Sequence, residues 1–310
     1  MIDCRPFIRP SSLPALALCP GRALMEARAC AQAPWLEAMQ SDAAREGTLA
    51  HEAIAQVLLC CWQEKMPADL ALDRCGALLA RLSPWAKQAA RTCVAYALAL
   101  RERLERESGG PVTSQVERHL GGDGIGIRRG GTADLVLIGG NRVVVVDWKC
   151  GFLDQGNATT HRQLHAYAVM AWDRYRQPLG IRSVDIHLAQ GRLRAFSAAR
   201  FTEAWIEAAR ADCQRVVAAA SADAPPLAPS IGACRYCKAL PWCRAARESI
   251  MDAIAEHALF GEAPDDVARQ DEAAALARRF AAAVKDCQLA RRNAQATTRA
   301  VPCGGVSHGA

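Results

Sequence analysis

Four consecutive valines, Val143 to Val146, run directly into Asp147-Trp148-Lys149, and Gly139-Gly140-Asn141 separates them from a second strand-like run, Gly131 to Ile138. Two such runs joined through glycine and asparagine signal a β-hairpin, because both residues tolerate the left-handed backbone of a tight turn. Strand side chains alternate between faces, so Asp147 and Lys149 share one face and Trp148 points to the other. With Gly140-Asn141 as a two-residue loop, Asp134 lies directly opposite Asp147, and Lys149 pairs near Thr132. Opposed residues hold their Cβ atoms roughly 4.5 to 5.5 Å apart. Two carboxylates at that spacing repel unless a cation lies between them. A three-residue Gly139-Gly140-Asn141 loop would offset the pairing by one unless a bulge restored it. An exposed strand end bearing an ordinary ion pair is the plain alternative.

Around this hairpin the chain changes character several times. A proline-rich start leads into a short helical pattern from Arg22 to Ala31. Gly47 to Cys61 then reads as an amphipathic helix with His51 in its first turns. Ala68 to Glu107 is helical with a break near Pro84, and Gly109-Gly110-Pro111 closes it. Val112 to Leu120 is a strand preceding the hairpin and carries Glu117. Thr160 to Tyr175 is a helix, Val184 to Ala189 and Leu193 to Ser197 form a second hairpin, and Phe201 to Ala220 is helical. Ser221 to Ser230, with Pro225, Pro226 and Pro229, is a linker into a cysteine block. A last helix covers Asp265 to Arg292. The expected division is a core with its N-terminal helical part over 1–220, a linker and cysteine segment over 221–247, a helical segment over 248–300 and a disordered tail over 301–310.

At 310 residues and 51% hydrophobic the chain can bury a sizeable core. The net charge of +6 comes from 38 basic residues, of which only Lys65, Lys87, Lys149, Lys238 and Lys285 are lysines. Basicity alone is therefore weak evidence for nucleic acid, while a lysine two residues after an aspartate at a strand end stands out. Leu13 to Leu18 is too short for a signal peptide, and no apolar run reaches the ~18 residues of a membrane span. A cytoplasmic, bacterial or phage-encoded protein with no membrane partner is expected. Fourteen cysteines without an export signal argue for core packing plus a metal site rather than disulfides.

Four short motifs occur in order: Gly47-Thr48-Leu49-Ala50-His51, Gly131-Thr132-Ala133-Asp134, Asp147-Trp148-Lys149 and Gln163-Leu164-His165-Ala166-Tyr167. This trail resembles the histidine, GxxD, DxK and QxxxY motifs of the RecB-like branch of the PD-(D/E)XK nucleases, over roughly Ser11 to Arg247. The resemblance implies an α/β (α+β) restriction-endonuclease-like core, a mixed central sheet flanked by helices with a helical insertion. It implies Mg²⁺ or Mn²⁺ held by His51, Asp134, Asp147 and the Trp148 carbonyl. It also assigns Lys149 to catalysis, with Gln163 and Tyr167 on one helix face turned toward the site or the DNA. Glu117 could tune the metal or accept a proton from water.

Cys234, Cys237 and Cys243 supply three thiolates, and Cys19 is the candidate fourth. This one-plus-three pattern resembles the iron-sulfur staple of AddB-type and CRISPR-adaptation nucleases, which implies a structural [4Fe-4S] cluster. Structural Zn²⁺ and unligated core cysteines are the alternatives. The expected activity is metal-dependent hydrolysis of DNA phosphodiesters, as an exonuclease on DNA ends or single strands, in recombination, repair or phage DNA processing. No GxxxxGK[ST] loop occurs, so unwinding would come from a helicase or recombination partner. A catalytically idle nucleic-acid-binding or assembly module is the competing reading. Arg278, Arg279, Lys285, Arg291 and Arg292 on the last helix could meet a DNA backbone, an ordinary solvated face being the simpler account.

Overall fold

The computed structural model describes residues 8–39, 41–260 and 267–299, with backbone alone for 38, 256–260, 267–270 and 296–299. The helices before the sheet are α1 (Leu13–Leu18), α2 (Arg22–Gln32), α3 (Trp35–Ala38), α4 (Asp42–Trp62), α5 (Ala68–Arg74), α6 (Gly76–Leu79) and α7 (Pro84–Ser108). Next come β1 (Thr113–Gly122), β2 (Ile127–Gly139), β3 (Arg142–Trp148), α8 (Arg162–Leu179), β4 (Ser183–Gln190), β5 (Ala195–Phe201) and α9 (Glu203–Ala220). The chain continues through α10 (Ile231–Cys234), α11 (Arg244–Phe260) and α12 (Val267–Arg299). The tail expected to be disordered, 301–310, lies outside the described residues.

The described residues form two compact units, one from 8–14 and 41–218, the other from 15–39, 219–260 and 267–299. The N-terminal helices thus group with the cysteine segment. Long-range bonds give the reason: Gly21 N donates to Pro226 O, Arg22 Nη1 to Ala233 O, and Lys238 N to Glu26 Oε1. Nothing local in a sequence announces such pairings.

In the larger unit the five strands make one mixed sheet in the order β1-β2-β3-β4-β5, antiparallel except for the parallel pair β3 and β4. The α8 crossover joins that parallel pair, as parallel strands require. The helix-flanked mixed sheet expected from the sequence is the fold observed. Val143 to Val146 are all buried, as is β4 throughout. One sheet face, with Leu135, Leu137, Val144, Val146, Trp148 and Ala189, packs on α4 and α7 residues such as Ile54, Leu58, Val94 and Leu100. α8 packs across β1, β3 and β4.

Local chemistry places these elements. Ser41 caps α4 through Ala44 N, which starts that helix earlier than its apolar period suggests. Ser83 caps α7, with Pro84 in the first turn, and Gly109 at φ +66° ends it. No helix among the described residues is long and apolar enough to cross a membrane.

The smaller unit contains a compact core of Cys19, Ala233, Cys234, Leu240, Cys243, Ala246, Leu276 and Ala283, with Cys237 packed against it. Arg279, one of the basic residues of α12, donates to Arg235 O at 2.8 Å within this unit. Arg278, Lys285, Arg291 and Arg292 are exposed.

Candidate metal centre

The β2-β3 hairpin has the register of a two-residue Gly140-Asn141 loop: Gly139 pairs with Arg142 and Leu135 with Val146. Gly140 takes φ +57°, the backbone region for which glycine is suited. The ladder stops one pair short of Asp134 and Asp147. At that point the Asp134 side chain takes over, its Oδ2 accepting the Trp148 N–H at 2.6 Å. Asp134 is thereby fixed between the strands, and the Trp148 ring is buried on the opposite, helix-packed face.

Lys149 does not pair near Thr132. Its N–H donates to Ala189 O, and its carbonyl accepts from Gly191 N. The cause is topological, since the β2-β3 ladder ends at Leu135 and Val146 while β4 stays paired with β3 as far as Trp148. The side chain still turns to Asp147, with Nζ 2.7 Å from Asp147 Oδ2. Gln163, in the first turn of α8, completes a triangle by donating to Asp147 Oδ1 at 2.8 Å and accepting from Lys149 Nζ at 3.0 Å.

Asp147 is 2% exposed, and the partner of its Oδ2 is the Lys149 ammonium at 2.7 Å. Burial pushes the Asp147 carboxyl up against the pull of Lys149. Burial works against a charged Lys149 as well, but the Asp147 charge outweighs it and holds the lysine above its ordinary value.

His51 reaches this edge from α4, with Nδ1 3.1 Å from Asp134 Oδ1. Burial disfavours its charged form, yet the Asp134 carboxylate overcomes that and lifts the imidazole to about 9. The third group is Glu117. Val116 pairs with Leu135 and Arg118 with Ala133, so Glu117 stands opposite Asp134 but drops out of the ladder. Its φ of +50° is rare for a residue with a side chain. One ligand atom each from His51, Glu117 and Asp134 lies within 4.8 Å of the others. Desolvation and the Asp134 charge raise the Glu117 carboxyl, although the residue is exposed.

Glu117 thus joins the cluster as closely as the residues named by motif. The only sequence signal for it was an acid on the strand beside the hairpin. Three carboxylates face one lysine and one imidazole, a shortage of positive charge that a divalent cation fits.

Tyr167 is placed differently. Its hydroxyl donates to Thr132 O at 2.6 Å and fastens α8 to β2. Gly131 permits this, because a Cβ there would come within 2.6 Å of Pro10 Cγ and 3.1 Å of Tyr167 Cε1.

Cys19, Cys234 and Cys243 are buried in one core beside Cys237. Burial raises the Cys234 thiol and pushes Cys237 up to about 12. Among the described residues, three ligand atoms within 4.8 Å of one another occur at His51, Glu117 and Asp134 and not among these sulfurs. Tetrahedral Zn²⁺ with ~2.3 Å bonds to sulfur requires closer thiolates than that.

Residues 18–298 match DUF2800, described as a protein of unknown function, and the chain belongs to that family. No curated protein matches it.

Proposed function

We propose that this DUF2800 protein is a metal-dependent deoxyribonuclease of the RecB-like type, acting on DNA ends or single strands in the cytoplasm. The observation that supports it most is the convergence of His51, Glu117 and Asp134 within 4.8 Å, beside the buried Asp147 and its Lys149 partner.

Asp134, Asp147, His51 and Glu117 would hold Mg²⁺ or Mn²⁺, with the Trp148 carbonyl as a further ligand. Such an ion supplies Lewis acidity at the phosphate and lowers the pKa of bound water. Asp134 is anchored by the Trp148 N–H, so it is positioned before any ligand arrives. Lys149 orients the attacking water and stabilises charge building on the phosphate oxygens. Gln163 fixes both Asp147 and Lys149 and is a positioning residue. Water oxygen bonds to phosphorus as the bond to the 3′ oxygen breaks, and that oxygen leaves as a hydroxyl after taking up a proton. The products are a 5′-phosphate and a 3′-hydroxyl.

Incubation of labelled linear DNA with the protein and Mn²⁺ tests this reading. Loss of one charge-stabilising group typically costs about 10² to 10³ in rate. Lys149→Ala and Asp134→Ala are expected to fall at least that far. Full activity in either variant would sink the assignment.

For the smaller unit the proposal is a structural [4Fe-4S] cluster on Cys19, Cys234, Cys237 and Cys243. Its support is their shared core. Coordination would have to displace thiol protons that burial holds in place. Anaerobically purified protein should be brown and lose its visible absorbance in Cys234→Ser. A colourless protein with one equivalent of zinc would overturn this.

A further inference from the structure

Beside the catalytic edge two large aromatic rings face solvent. Trp85, in the first turn of α7, and Phe152, three residues after Lys149, are each 65% exposed. Arg192 lies between them, its Cζ 3.0 Å from the Phe152 ring centroid and 5.3 Å from that of Trp85. Both rings contact the guanidinium and remain largely exposed. We propose that Trp85, Phe152 and Arg192 form a platform on which the unpaired bases of single-stranded DNA stack beside the Asp147 and Lys149 pair.

The platform is tied to the site by several bonds. Gly191, adjacent to Arg192, donates its N–H to the Lys149 carbonyl at 3.1 Å. Gln190, 3% exposed, holds the segment that follows Lys149: its Oε1 accepts Gln155 N at 2.7 Å, and its Nε2 reaches Asp154 Oδ1 and Gly156 O at 3.1 Å. Trp85 is steadied through Ser83, whose N–H donates at 2.9 Å to Glu46 on α4, the helix bearing His51.

Exposed aromatic faces beside a guanidinium match the chemistry of single-strand binding, in which bases stack and cations meet the backbone. Paired bases in a duplex interior cannot reach such rings. Leu153 and Leu193, also exposed, would line the track with apolar surface. The proposal rests on reading the neighbouring site as one that cuts DNA, and it specifies which form of DNA is held there.

The test is fluorescence anisotropy of a labelled oligothymidylate with the full chain in EDTA. An abasic oligonucleotide of equal length and charge is the control. A stacked base contributes enough that losing a ring is expected to weaken binding about 10-fold. Trp85→Ala and Phe152→Ala should each show that loss, Trp85→Phe should stay within about 3-fold of wild type, and the abasic strand should bind at least ~10-fold more weakly. Equal binding of oligothymidylate by wild type and both alanine variants would overturn the platform and leave the rings to a protein partner. Equal binding of the abasic strand would overturn it too. Metal-dependent cleavage with ring-independent binding refutes the platform alone, whereas ring-dependent binding with no cleavage in Mn²⁺ or Mg²⁺ refutes the cutting reading alone.

Discussion

Replacing Glu117 separates backbone strain from metal affinity. Its φ of +50° places a side-chain-bearing residue where L-residues are disfavoured by about 1 to 2 kcal/mol. Glu117→Ala removes the carboxylate and keeps that penalty. Glu117→Gly removes both, at a cost of about 0.5 to 1 kcal/mol in the freedom glycine loses on folding. The glycine variant should therefore exceed the alanine variant by up to about 1.5 kcal/mol, a few degrees in Tm for a domain of this size. Both should bind Mn²⁺ more weakly than wild type, since the cluster of three ligand atoms is reduced to two. Thermal unfolding in EDTA and calorimetric Mn²⁺ titration measure the two effects. An alanine variant more stable than the glycine variant, or Mn²⁺ affinity unchanged in both, would refute the idea that strain here serves to aim a ligand.

Two further outcomes follow from the geometry. Without metal, His51 is raised to about 9, above its unfolded value near 6.5. Its contribution to stability is then fully present below pH ~6.5 and lost as pH rises toward 9. Metal must displace that proton, so apparent Mn²⁺ affinity should climb up to about 10-fold per pH unit across this window, and His51→Asn should flatten the slope in a calorimetric pH series. Gly131→Ala would drive a Cβ into Pro10 and Tyr167, with an expected loss of about 1 to 3 kcal/mol; an unchanged urea midpoint would contradict the packing described.

The hairpin was legible because its determinants are local. The apolar runs and a turn rich in glycine set the register that brings Asp134 to the end of the ladder opposite Asp147. Alternation along the strand gives the face of Lys149 but not its neighbour, since its backbone pairs with β4, a parallel strand supplied by a crossover that no local pattern reveals. Glu117 was recognisable as an acid on the adjoining strand, but its left-handed backbone has no signature in composition. The cysteine spacing gave candidates, and their shared core emerged only with the long-range bonds linking α2 to the residues around α10. Tyr167 kept the helix face expected of it, yet its hydroxyl is committed to a backbone carbonyl, which periodicity cannot anticipate.

The proposed hydrolysis of DNA requires that the acids around Asp134 and Asp147 hold a divalent ion. This is measured by the Mn²⁺ dependence of cleavage of a 5′-labelled single strand, run beside Mn²⁺ binding on the same preparations of wild type and Asp147→Asn. Cleavage is expected to saturate with the measured Mn²⁺ occupancy, to leave 5′-phosphate ends, and to fall by about 10² or more in the variant. Cleavage that persists in EDTA, or an Asp147→Asn protein that cuts as fast as wild type, would contradict it.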